Sequence, residues 1–301
     1  VQVGLLTDFR LSVLEGNLGV YGVHVYQSGK TIGEHRFRSD DRENLYSGSK
    51  TFASVGVGIA EGEGRFELSD CVLDFFPELQ HMAYPGSEKM TIKHLLQMSS
   101  GHMFEDFDRF KSGDLAKLFF SMEMKEAAGS RFFYENLCTY MLGRVVEKVS
   151  GQTLLDYLKP RLFDLLEIFN PQWHLCPYGH TMAATGLYLT TEEFSRLGIM
   201  LLQKGVYKGR QIVAADYVKR MRAEWVDTSS HMDEEGRCGY GYQVWNCTPP
   251  NTYRADGMYG QLCVVLGDYD AVITVTSHNE GEASNILRAM WTQILPKLEA
   301  S

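Results

Sequence analysis

Ser47-Gly48-Ser49-Lys50-Thr51-Phe52-Ala53-Ser54-Val55-Gly56-Val57-Gly58-Ile59-Ala60 is the stretch on which the reading of this chain turns. Phe52, Ala53, Val55, Val57, Ile59 and Ala60 make it apolar nearly all round a helix, and Gly62 and Gly64 close the run. The pattern predicts a buried helix from Ser47 to about Gly62. Gly56 and Gly58 each cost about 1 kcal/mol against alanine in a helix interior, a cost that close packing against a neighbouring element offsets. The first turn holds an SxxK sequence, Ser47 to Lys50. Residues three apart on a helix share a face, so the hydroxyl and the amine come within hydrogen-bonding reach. A serine hydroxyl is a poor nucleophile until its proton is removed, and a lysine removes it only as the free amine. Burial and the positive end of the helix dipole both lower the lysine pKa in that direction. The same helix start offers backbone N–H groups to a developing oxyanion. On spacing alone a plainer alternative stands, in which Ser47 or Ser49 caps the helix and Lys50 is an exposed first-turn residue.

Outward from this helix the pattern is sheet at both ends with helices between. Residues 18–38 alternate through Val23, Val25, Ile32 and Phe37 about Ser28-Gly29, a β-hairpin signal, so the chain is expected to begin with sheet. Thr91 opens a helix expected to end at Gly101, Asp114 opens another, and a third runs from Leu137 to Val149 and stops at Gly151. Thr190 and Glu193 form a capping box before a helix that stops at Gly205. Gln243 to Trp245 reads as a weak strand, and Gln261 to Leu266 with Ala271 to Thr276 flank Gly267-Asp268-Tyr269-Asp270 as a hairpin. A last helix is expected from about Glu282 to Leu298. The fold class is therefore α+β: an antiparallel sheet from the N- and C-terminal segments, flanked by helices, with an inserted mainly helical domain. The expected division is a discontinuous sheet domain of residues 1–46 and 238–301 and a helical domain of 47–237, with the active site between them.

Bulk composition narrows the function classes. A 301-residue chain with 44% hydrophobic and 22% charged residues has ordinary globular composition. A formal net charge of -9 repels a polyanion, and the basic stretch Lys204 to Arg210 is diluted by glycine and apolar residues, so no nucleic acid partner is expected. No apolar run is long enough to span a membrane. Cys71, Cys138, Cys176, Cys238, Cys247 and Cys263 show neither CxxC pairs nor zinc spacing and read as free thiols. Together with the lack of a leading signal peptide they point to the cytoplasm, or to export if a leader was trimmed before Val1. No metal and no cofactor is expected: there is no HExxH, and Gly56-x-Gly58 follows no strand and lacks the third glycine of a dinucleotide fingerprint. His102 and His180 read as satisfied structural histidines.

A second chemical motif is Tyr134-Glu135-Asn136, directly before the helix near Leu137. The Tyr134 phenol is able to relay a proton, and the Asn136 amide to orient both lysine and substrate. Alone it is also consistent with a turn capped by Asn136. With the SxxK helix, Leu68-Ser69-Asp70, Phe76-Pro77-Glu78, the helix from Thr91, Ala184-Thr185-Gly186-Leu187 and the closing strand pair, the chain from about residue 20 to 297 resembles the serine hydrolases related to class C β-lactamases and low-molecular-weight penicillin-binding proteins. That resemblance implies an acyl-enzyme mechanism on a small ester, amide or β-lactam, with Ser47 as nucleophile, Lys50 as base, and Tyr134 and Asn136 in the second motif. The third motif, usually Lys-Thr-Gly or His-x-Gly, corresponds to Ala255-Asp256-Gly257. By analogy with the family, Gly257 lets substrate lie against the strand and the Met258 N–H joins that of Ser47 in the oxyanion hole. Ala255 replaces the cation, and Arg254, next along a strand, is expected to point the other way. The departure favours esterase-like or other amide hydrolysis, with an acylatable, penicillin-recognising binding domain of little turnover as the alternative. Substrate choice is expected to depend on the loop from Met103 to Lys111. Tyr259 is expected to line the pocket, and Met258 to pack.

Overall fold

The computed structural model describes residues 4–103 and 113–300; most of the loop assigned to substrate choice, residues 104–111, lies outside them. The helices are α1 (Thr7–Glu15), α2 (Ser49–Gly62), α3 (Ile92–Leu96), α4 (Leu115–Ser121), α5 (Asn136–Ser150), α6 (Leu154–Leu158), α7 (Thr191–Leu202), α8 (Ala215–Ala223) and α9 (Ser284–Gln293). The longer strands are β1 (Val20–Gln27), β2 (Lys30–Arg36), β9 (Thr252–Gly257), β10 (Gln261–Leu266) and β11 (Ala271–Ser277), with two- or three-residue strands β3 (Glu43–Asn44), β4 (Gln172–Trp173), β5 (Leu187–Leu189), β6 (Val206–Tyr207), β7 (Arg210–Gln211) and β8 (Trp245–Asn246).

Six strands form one antiparallel sheet in the order β2-β1-β11-β10-β9-β8. The N-terminal hairpin thus joins the C-terminal strands through the β1–β11 pair, in which Val25 lies opposite Ile273. β10 and β11 are buried along their whole length, which explains runs such as Cys263-Val264-Val265-Leu266 that do not alternate. One face of the sheet packs Val23, Val264 and Ile273 with Phe9 of α1 and Met290 of α9. Cys263, Val265 and Val272 on the other face belong to the larger core that includes α7 and the helical middle of the chain. Gly198 lets α7 lie close across the sheet, since a Cβ there would stand 2.6 Å from Cys263 Sγ.

α2 runs through that larger core, buried from Ser49 to Ala60. Its glycines sit where other helices press: a Cβ at Gly56 would lie 3.2 Å from Leu154 and Leu158 of α6, and one at Gly58 would lie 2.4 Å from the Tyr217 ring of α8. The predicted hairpins, the capping box at Thr190 and the glycine stop at Gly151 are all present.

Four expectations need correction. The chain begins with helix α1, not sheet; its exposed Leu11 and Leu14 blur the amphipathic pattern. α3 stops at Leu96, because Met98 turns left-handed (φ 54°) and the chain leaves the helix well before Gly101. The C-terminal helix ends at Gln293, and a separate 3-10 turn from Leu295 carries Pro296 where the backbone N–H is not required. Met258 does not pack; it is 59% exposed.

Candidate active site

Ser47 does not sit in α2 itself but in a 3-10 turn, Tyr46–Gly48, that feeds straight into it. Tyr46 holds a left-handed conformation (φ 46°), and its N–H donates to Asn44 Oδ1 at 2.8 Å. Asn44 Oδ1 also accepts from Gly186 N at 3.2 Å, so one amide on β3 ties the serine turn to the segment before β5. Ser49 Oγ accepts from Leu187 N at 3.2 Å and Thr51 Oγ1 donates to the Gln243 carbonyl at 2.8 Å, anchoring the first turn of α2 on two sides.

Lys50 is 1% exposed, and its Nζ lies 2.9 Å from Ser47 Oγ, 2.7 Å from Asn136 Oδ1 and 2.9 Å from the Ala184 carbonyl oxygen. No carboxylate among the described residues bonds to it. Burial pushes its pKa down to about 7, only partly opposed by Cys138. The partners define what the free amine does: two neighbours are carbonyl oxygens that only accept, and they take its two N–H bonds. The remaining lone pair then faces Ser47, whose O–H is the one of these three partners able to donate.

Tyr134 and Asn136 arrive from the start of α5, where Glu135 takes the N-cap position without a side-chain capping bond and Asn136 is the first helical residue. Asn136 Oδ1 on Lys50 leaves its amide nitrogen for other partners. The Tyr134 ring lies 5.0 Å from Lys50 Nζ and stacks on Trp245 at 5.9 Å between centroids. Burial raises the Tyr134 phenol well above its usual value; a hydrogen bond with Ser47 lowers it and the Asp256 charge raises it further. Tyr134 therefore keeps its proton at neutral pH, which leaves Lys50 as the group of this pair able to accept one.

β9 reaches the same place. A Cβ on Gly257 would lie 2.1 Å from the Leu45 carbonyl oxygen and 3.0 Å from Gly48 N, so the strand can lie on the serine turn only with glycine here. Met258 follows directly. Neither the Ser47 nor the Met258 N–H donates to a backbone acceptor among the described residues. The structure thus brings Ser47, Lys50, Tyr134, Asn136 and Gly257 into one group, with Met258 at its rim. Tyr259 meets Tyr46 edge-on at 5.2 Å and stacks on His278 at 4.2 Å.

Ala255 is buried in the larger core and brings no charge. Arg254 does not stand in for the missing cation: it is 3% exposed, gives Nε to Asp256 Oδ2 at 2.7 Å and Nη1 to the Asn246 carbonyl at 3.1 Å. His180 Nδ1 sits 2.8 Å from Glu147 Oε2, the satisfied structural place expected of it. His102 is buried edge-on to Phe119 but, against expectation, neither of its ring nitrogens has a hydrogen-bond partner among the described residues. Among the described residues no group of His, Cys, Asp and Glu is arranged to hold a metal, and the six cysteines are unpaired. A groove of about 480 Å³ between the β1–β2 turn and α7 is lined by His24, Tyr26 and Gln203 and contains none of the residues above.

Sequence reasoning missed three participants. The Ala184 carbonyl is a backbone acceptor with no residue signature. Trp245, stacked on Tyr134, arrives from a two-residue strand. Glu135, the middle residue of YxN, is 2% exposed, accepts from Ser100 Oγ at 3.0 Å, and is pushed by burial up to about 7.

A serine in reach of a buried lysine one turn later, beside a six-stranded antiparallel sheet, marks the class: a serine hydrolase-like fold related to β-lactamases and penicillin-binding proteins. The chain belongs to the beta-lactamase family, which matches residues 14–294. It is 27% identical over 206 residues to the 6-aminohexanoate-dimer hydrolase of Paenarthrobacter ureafaciens, covering 62% of this chain and 52% of that protein. It is 30% identical over 131 residues to a beta-lactamase of Escherichia coli (strain K12), covering 43% of this chain and 34% of that one. The matched region thus spans about half or less of these curated relatives. In fold it is similar to the octameric penicillin-binding protein homologue from Pyrococcus abyssi, with a TM-score of 0.77 and 20% identity over 99% of this chain and 78% of that one. No helix among the described residues is long and apolar enough to cross a membrane.

Proposed function

We propose that this chain is a serine hydrolase that cleaves small esters or amides through an acyl-enzyme at Ser47. The observation that carries the reading is Lys50: buried, bonded to no carboxylate among the described residues, and held by two carbonyl-type oxygens so that its lone pair meets the Ser47 hydroxyl. In the first step Ser47 Oγ bonds to the substrate carbonyl carbon while its proton passes to Lys50. The oxyanion takes the N–H groups of Ser47 and Met258, which Gly257 allows to approach one another. The bond to the leaving oxygen or nitrogen then breaks as that atom takes a proton through Tyr134, which Lys50 resupplies. Water attacks the ester on Ser47 with Lys50 again as base, releasing the acid and restoring the serine. Asn136 holds Lys50 through Oδ1 and offers Nδ2 to the substrate. In this reading the cleft lies between the sheet segments, 1–46 and 238–301, and the helical middle, 47–237.

Intact mass after treatment with a fluorophosphonate, followed by peptide mapping, tests the assignment. One adduct on Ser47, absent in Ser47→Ala, is the expected result; an unlabelled Ser47 together with full ester turnover by Ser47→Ala removes it. A second reading, an acylatable binding domain with little turnover, is favoured by Ala255 in the place of the third-motif cation. Steady release of product beyond one equivalent decides for the hydrolase, and a single burst decides for the sensor.

A further inference from the structure

The strand that approaches Ser47 carries an acid, and that acid is only half used by the protein. Asp256 immediately precedes Gly257. β8 pairs with β9 only at Tyr253 and Arg254, so among the described residues the strand from Ala255 to Gly257 has β10 on one side and no strand on the other. Asp256 Oδ2 accepts from Arg254 Nε at 2.7 Å; Oδ1 has no partner among the described residues, and the side chain is 21% exposed.

Arg254 does not cancel the local charge. It also lies 3.8 Å from a Glu235 carboxylate oxygen, so one guanidinium serves two carboxylates, and its own side chain is 4% exposed and out of reach of a ligand. Lys50 is enclosed by its three oxygen partners. Aromatic rings belong to the neighbours of Asp256: Trp245 lies under Arg254, its ion-pair partner, and stacks on Tyr134, while Tyr259, three residues on, meets Tyr46. Ring faces attract cations and do nothing for carboxylates. Asp256 also lies near the reacting groups, because beside the larger effect of burial its charge helps to hold the phenols of both Tyr134 and Tyr240 above their usual values.

We propose that Asp256 makes the cleft select ester or amide substrates carrying an ammonium group near the scissile carbonyl, and disfavour those carrying a carboxylate. This rests on the reading of Ser47 as the acylated nucleophile. A carboxylate at the edge of a partly dry cleft attracts a cation more strongly than water would allow, yet its field is still weakened by salt.

The test uses three p-nitrophenyl esters of equal acyl length ending in trimethylammonium, tert-butyl or carboxylate, the first two nearly identical in shape. Release of p-nitrophenolate reports acylation whether or not the acyl-enzyme turns over. The cationic ester should acylate about tenfold faster than the neutral one at low salt, with the anionic ester slowest. The ratio should shrink as ionic strength rises and fall to within about twofold in Asp256→Asn, while Asp256→Glu keeps it. Each ratio is read within one protein, so partial misfolding of a variant cancels. Equal rates for all three esters in the unaltered chain, or a preference that survives Asp256→Asn, overturn the proposal and leave Ser47 acylation standing. No release from any ester, with Ser47 unlabelled by a fluorophosphonate, takes down the hydrolase reading and this proposal with it.

Discussion

The proposed mechanism concentrates its proton chemistry in Lys50, whose behaviour with pH has a definite sign. Burial lowers its pKa from the ordinary lysine value to about 7, so the free amine, which is the proposed acceptor of the Ser47 proton, becomes populated as pH rises through 7. The acylation rate should therefore climb between about pH 6 and 8 and level off above, as a stopped-flow profile with a p-nitrophenyl ester would show. Lys50→Arg, which cannot deprotonate, should lose at least about a hundredfold in rate across that range. Tyr134→Phe separates the two proton carriers. It should slow acylation by about a hundredfold yet leave the midpoint of the acidic limb near 7, because Tyr134 holds its proton throughout. A midpoint that moves by more than a unit in this variant would instead make the phenol the base. The residue identities of this site were legible in Ser47-x-x-Lys50 and Tyr134-x-Asn136, since both partners are close in sequence to a helix start. The Ala184 carbonyl was not, because a backbone oxygen has no letter, and the Arg254–Asp256 pair was not, because its geometry depends on which strand edge stays open.

At the scale of elements the site depends on two close approaches that only glycine permits. α2 passes under Tyr217 at Gly58, where an added methyl would meet the ring, and the Tyr217 hydroxyl is itself fixed on the Ser54 carbonyl at 2.7 Å. Gly58→Ala should therefore destabilise the protein by about 1–3 kcal/mol, measured by urea unfolding, while leaving Ser47 labelling intact in the folded fraction. Gly257→Ala is different in kind. Its neighbours are the Leu45 carbonyl and the Gly48 nitrogen, so backbone must yield, and the strand is displaced from the serine turn. Acylation should fall by more than about a hundredfold even where unfolding changes by only about 1–3 kcal/mol. Stop and start signals were the readable part of the elements: Gly151, Thr190 with Glu193, and Ser28-Gly29 all stand at the ends they mark. The weakly patterned elements were not. α1 leaves Leu11 and Leu14 exposed and packs only through one face onto α9, and α3 is cut short by a left-handed Met98 that no turn residue announces.

In the whole molecule, a single sheet has one core on each face, and this should decide how the protein unfolds. β1 from the N-terminal end lies between β2 and β11, so neither end of the chain completes the sheet without the other. Ile273 on β11 is fully buried in the core with α1 and α9, opposite Val25 on one neighbouring strand and Val264 on the other. Val272, its sequence neighbour, points into the other core, where α7 and α2 reside. Adjacent residues of one strand thus bind both cores, and β9 of the same sheet bears on the serine turn. Losing order on one face removes the support of the other, so calorimetry should record one cooperative transition. Ile273→Ala, in the core remote from Ser47, should cost about 2–5 kcal/mol and shift that transition as a unit. The temperature at which Ser47 labelling is lost should fall by the same amount, although Ile273 lies in the other core from the proposed catalytic groups. With all six cysteines unpaired, a reductant should leave both midpoints where they were. Two resolved transitions, or labelling lost well below the calorimetric midpoint of the variant, would mean that the faces unfold separately and that the sheet does not couple the remote core to the site.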